Sequence, residues 1–99
     1  MKTIPETFNR EGWCYTLVKS CEHAAIYEMT KSGEYCEYEV WKLRYYKSDN
    51  AFTGVKAGDV KAPSTKEWGH YGWSYPRLEL AEWKYGQIIN DMTKTQDTE

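Results

Sequence analysis

His23 and His70 are the side chains in this chain best suited to moving a proton near neutral pH. Assisted by a Glu or Tyr, they could act as an acid–base pair on RNA or another ester. Two histidines in ninety-nine residues need no such role, and a structural imidazole accounts for each. Cys14, Cys21 and Cys36 are odd in number and contain no C-x-x-C pair, and with the histidines they show no metal-ligand spacing. The glycines are isolated, so no phosphate-cradling loop is present. No catalytic or metal residue is assigned, no cofactor is expected, and the chain is read as a non-enzyme.

Two constellations suit binding instead. In GEYCEYEVW, the acidic Glu34, Glu37 and Glu39 alternate with aromatics and lead to Trp41. This pattern suits a protein partner whose own surface is basic and nucleic-acid-binding. In EWGHYGW, Trp68, His70, Tyr71 and Trp73 stand beside Gly69 and Gly72, leaving room for a flat ligand to stack. The same aromatics first fit anchors for an irregular segment, since large apolar residues are mostly used for burial.

Composition narrows the partner classes. Thirteen Lys plus Arg against fifteen Asp plus Glu give a net charge of -2, which disfavours binding driven by phosphate neutralisation. WKLRYYK, residues 41–47, does interleave basic and aromatic residues as a single-strand binder would. The acidic residues that precede it, Glu22 to Glu39, would repel a phosphate backbone. Nine Tyr and five Trp against two Phe mean that many apolar rings carry a polar tip needing a partner. No run approaches the ~18 apolar residues of a membrane span. MKTIPETFNREGW lacks an apolar stretch for secretion, so a reduced, cytoplasmic setting is expected, with the cysteines as small buried hydrophobes.

The elements that must position these residues can be read in order. Residues 1–12 read as an extended arm ending in the turn Glu11-Gly12. Alternation then marks three strands, around WCYTLV, AAIYEMT and EYCEYEVWKLRYY, with a hairpin turn at Ser32-Gly33. The third changes phase: Cys36, Tyr38 and Val40 share one parity, Trp41, Leu43 and Tyr45 the other. Either a bulge near Val40 or burial on opposite faces at the two ends explains this, and the bulge is the preferred reading. Residues 47–62 read as a long loop, turning at Ala57-Gly58-Asp59, and form the first candidate for a partner-contacting element.

Ser64 and Glu67 form a capping-box pattern for one helical turn ended by Gly69. The main helix is capped by Ser74 or Tyr75, with Pro76 in its first turn. Leu78, Ala81, Tyr85, Ile88 and Met92 recur at helical spacing and should face a sheet, where Gly86 permits close approach. Residues 93–99 read as a frayed polar tail. The expectation is one α+β domain over residues 1–99: a three-stranded or four-stranded antiparallel sheet with one C-terminal helix packed on a face.

Tyr38, Glu39, Val40, Trp41 and Lys42, followed by Gly72, Trp73, Ser74, Tyr75, Leu78, Glu79 and Ala81, carry a resemblance. The pattern resembles that of small uncharacterised proteins of bacteriophages and prophages, over roughly Trp13 to Ile89. Ser74 stands where Cys is often found in them. The resemblance implies a small accessory protein of a phage or mobile element acting in the host cytoplasm, and it brings no catalytic residues. The expected function is occlusion of a host or phage macromolecule, as in host modulation or inhibition of a defence system. The alternatives are a small-molecule or nucleotide binder using the aromatic pocket, or a single-stranded nucleic-acid binder. Either a monomer or a homodimer fits.

Overall fold

The computed structural model describes residues 4–97. It is an α+β arrangement of five strands and one long helix. Strands β1 (Thr7–Arg10), β2 (Trp13–Ser20), β3 (Ala24–Lys31), β4 (Tyr35–Lys42) and β5 (Gly72–Tyr75) form one antiparallel sheet in the order of the sequence. Helix α1 spans Leu78–Asp97, and a 3-10 turn at Thr65–Glu67 precedes β5.

The sheet thus has two more strands than the minimal expectation. The N-terminal arm supplies β1: Glu11 and Gly12, at φ of 53° and 85°, make a two-residue turn that folds Thr7–Arg10 back onto β2. Positive φ at both central residues matches the twist of a tight hairpin. HYGWSY supplies β5, so Ser74 and Tyr75 are strand residues and not helix caps. Ala81 N–H bonds the Arg77 carbonyl, which places the helix start just beyond Pro76. At its other end the helix continues through Asp97, so residues 93–97 extend it; residues 98 and 99 lie outside the described residues.

The phase change in β4 has a simple cause. Register between β3 and β4 runs unbroken from Ala24 opposite Lys42 to Lys31 opposite Tyr35, so no bulge lies at Val40. The irregularity sits in β2, between Leu17 and Lys19. Val40 and Trp41 are both buried because the sheet is covered on both faces.

On one face α1 closes Ala24, Ile26 and Val40 beneath Ala81 and Ile88, with Leu78, Tyr85 and Met92 packed around them. This is the predicted helical stripe. Gly86, however, is exposed with open space where a Cβ would lie. The opposite face buries Tyr15, Ala25, Tyr27, Met29 and Trp41, with Phe8 of β1 beside them and with Ile4, ahead of that strand, and Leu43 and Val60 of the long connection packed against them. Phe8 stacks on Tyr15 at 4.3 Å between ring centroids, and Tyr27 meets Trp41 at 4.6 Å. Such pairs are each worth about 0.5–1.5 kcal/mol beyond the area they bury.

The three cysteines are exposed, against expectation. Cys14 and Cys36 flank Thr30 on the helix-side face, beyond the residues that α1 covers, and Cys21 lies in the turn between β2 and β3. No described helix is long and apolar enough to cross a membrane.

Candidate functional site: a cleft floored by a buried carboxyl

Glu39 lies mid-strand in β4, opposite Tyr27 on one side and Ser74 on the other. Its parity puts it on the face covered by the N-terminal segment and the long connection, where it is only 5% exposed. Tyr15 reaches across from β2 to donate its hydroxyl to Oε2 at 2.9 Å. Trp41, two residues along β4, donates its indole N–H to Oε1 at 2.9 Å. Both donors are uncharged. Burial therefore pushes the carboxyl above its ordinary range, although these two hydrogen bonds and the charge of Arg10 pull the other way. The Tyr15 hydroxyl is also raised, by burial first and by the Glu39 charge second.

Above this carboxyl opens a cleft of about 300 Å³, lined by Arg10, Tyr15, Glu39, Pro63, Thr65 and Trp68 among others. Its far wall is built by the capping-box segment. Ser64 N–H donates to Glu67 Oε1 at 3.0 Å, closing the expected turn in 3-10 form. Glu67 also accepts a two-pronged bond from Arg44, whose guanidinium stacks on Tyr71 at 3.9 Å from the ring centre. That guanidinium, then the Ser64 backbone, holds the Glu67 carboxyl down at about 2. Arg10 Nη2 donates to the Pro63 carbonyl at 3.1 Å, tying β1 to the same wall.

The predicted acidic surface is divided by this geometry. Glu34 and Glu37 are exposed, Glu34 in the turn before β4 and Glu37 within the strand. Glu39 and Trp41 are buried, so Trp41, at 1% exposed, cannot meet a macromolecular surface, and Glu39 can be reached only by a group that enters the cleft above it. Alternation of Glu with aromatics looks solvated in the sequence. What buries half of it is the cover from residues distant along the chain.

The predicted aromatic pocket is dispersed as well. Trp68 lies against Gly72, where a Cβ would fall 2.4 Å from the indole ring, and it walls the Glu39 cleft. Tyr71 lies beneath Arg44, with the Lys42 ammonium 5.8 Å from its ring centre. Trp73 points to the helix side, covered by Lys84 Nζ at 4.2 Å, and with the exposed His70 it borders a separate polar recess of about 190 Å³. His23 is half-buried, and its carbonyl accepts the Leu43 N–H. Among the described residues, no three His, Cys, Asp or Glu side chains cluster as metal ligands would.

The long connection is far from structureless. Tyr45 pairs with Val60 and Asn50 with Val55, so the hairpin turns at residues 51–54, with a second turn at residues 56–59. Asn50 Oδ1 accepts the N–H groups of Phe52 and Thr53, Asp49 accepts that of Ala57, and Asp59 that of Lys56. At the tip of this braced loop Phe52 is fully exposed. The sequence points to the loop but not to this residue, because a single Phe among Asp, Asn and Gly gives no periodic signal.

Compared with known proteins, the chain matches no family model, no curated protein and no solved structure, so its chemistry has to be read from these side chains alone.

Proposed function

We propose that this is a non-enzymatic binding protein that occludes a host or phage macromolecule, with the loop tip at Phe52 as its anchor. The observation that carries the reading is a fully exposed aromatic ring on a backbone already fixed by side-chain hydrogen bonds. Exposing Phe to water gains nothing for the folded chain, whereas burying it in a partner's socket contributes roughly 1.5–3 kcal/mol. Because Asn50 and Asp49 have already ordered the turn, little loop entropy is lost on docking. Aromatic residues of this kind supply the buried centres of protein interfaces. Exposed Glu34 and Glu37 would add charge selection for a basic partner.

The test is affinity capture from host lysate, with and without nuclease, comparing the native chain with Phe52→Asp. One stoichiometric protein that survives nuclease and disappears with Phe52→Asp is the expected result. The variant should keep the native melting temperature, since the ring packs on nothing. A partner retained by Phe52→Asp, or released by nuclease, overturns the proposal. The cleft over Glu39 favours a second reading, a small-ligand site, because its size is at the lower end of ligand pockets.

A further inference from the structure

We propose that the cleft over Glu39 receives a guanidinium group, which stacks on Trp68 and donates two parallel hydrogen bonds to the carboxylate. This deepens the small-ligand reading and does not depend on the Phe52 anchor.

The chemistry follows from what Glu39 lacks. A carboxylate offers about four acceptor positions. Tyr15 occupies one on Oε2 and Trp41 one on Oε1, which leaves each oxygen free to accept once more. Two acceptors side by side match the fork of a guanidinium, and an ammonium cannot reproduce that geometry.

Charge agrees with shape. Besides Glu39, Glu11 lines the cleft and Glu37 stands close enough on β4 to act on the Glu39 carboxyl. Against them stands Arg10, already bonded to the Pro63 carbonyl. The balance favours a cation. Trp68 is 40% exposed and rests on Gly72, so the cleft has an aromatic wall for a planar charge. A hard metal ion fits less well, because it would want several oxygen ligands and no cluster of three acidic, His or Cys groups is found among the described residues. A volume of about 300 Å³ is ample for one planar head group and part of its stem.

Such a group could come from a free guanidinium compound or from an arginine side chain of a peptide. The experiment follows tryptophan fluorescence and binding heat as N-acetyl-arginine amide, agmatine and a short arginine-containing peptide are titrated in. N-acetyl-lysine amide serves as the ammonium control and adenosine monophosphate as an unrelated flat ligand. We expect saturable one-to-one binding of the arginine compound, with the lysine compound weaker by about tenfold or more. Glu39→Gln and Trp68→Ala should each weaken the arginine compound by a similar factor, while Arg10→Ala, which removes a like charge, should tighten it.

Trp68→Ala leaves the carboxyl and its two donors untouched, so the test stands even if Glu39→Gln fails to fold. Much tighter binding of the peptide than of agmatine would identify a polypeptide source, and comparable binding a free compound. Equal affinity for the lysine and arginine compounds, or binding that ignores Trp68→Ala, overturns the proposal. If only adenosine monophosphate binds, the guanidinium inference falls and the small-ligand reading survives. If nothing binds, both fall.

Discussion

The two faces of the sheet are covered in different ways. On the helix side, α1 lays an apolar stripe on Ala24, Ile26 and Val40, and the cover is regular. On the other side the cover is Ile4, ahead of β1, and the non-helical connection after β4, and three of the five buried residues beneath, Tyr15, Tyr27 and Trp41, are large rings with polar tips. Those tips hold the cover and the strands in place. Tyr27 donates its hydroxyl to the Pro5 carbonyl at 2.7 Å, while Tyr15 and Trp41 converge on Glu39. A helix satisfies its own backbone and needs only an apolar seat, but an irregular segment must find partners for its carbonyls and N–H groups. A composition rich in Tyr and Trp therefore serves one face of this molecule more than the other, and the candidate site lies on that face.

The contrast can be broken most severely at Trp41. Trp41→Ala removes the largest fully buried side chain and orphans a carboxyl oxygen, and should cost about 3–5 kcal/mol. Ile88→Val on the helix side should cost about 0.5–1.5 kcal/mol. Urea unfolding of the two variants checks this, and similar midpoints would erase the distinction between the faces.

A smaller effect is expected from Gly72→Ala. The new Cβ would lie 2.4 Å from the Trp68 ring and 2.9 Å from Pro63 Cβ, so the wall of the cleft must shift. Overpacking of this kind costs about 1–3 kcal/mol. It should also change Trp68 fluorescence; an unperturbed indole and native stability would show that the wall is loosely held.

The smallest effects separate two carboxyls by pH. Glu67 is held low in the folded state, so its contribution is present above the ordinary value of 4.5 and is lost as pH falls toward about 2. Glu39 has the opposite sign. Its folded value is raised, so stability declines as pH rises from 4.5 through that raised value, where the folded chain must give up a proton it holds more tightly than the unfolded one. Glu67→Gln should flatten the acid limb, and Glu39→Gln the limb above it. Chemical denaturation across pH reads both, and the assignment fails if either variant keeps the native slope.

Strands 2, 3 and 4 were legible because eight-residue alternation of Tyr, Val, Trp and Ile leaves little else to form. The capping box at Ser64 and the helical stripe from Leu78 to Met92 were equally readable, since each is a local pattern. Strands β1 and β5 were not, because TFNR and GWSY are four residues long and owe their conformation to a neighbour's ladder. The same non-locality hid the site. Whether Glu39 meets water depends on Pro63, Thr65 and Trp68 folding over it, and no periodicity near residue 39 reports that.

The lengths of the strands carry one more consequence. The three inner strands each have eight residues, but the two outermost, β1 and β5, have four. An unpaired outer ladder is a template on which further chains can add without limit. Here each template is half the length of the strands it protects, so the sheet offers little purchase for open-ended growth while its interior keeps full-length pairing.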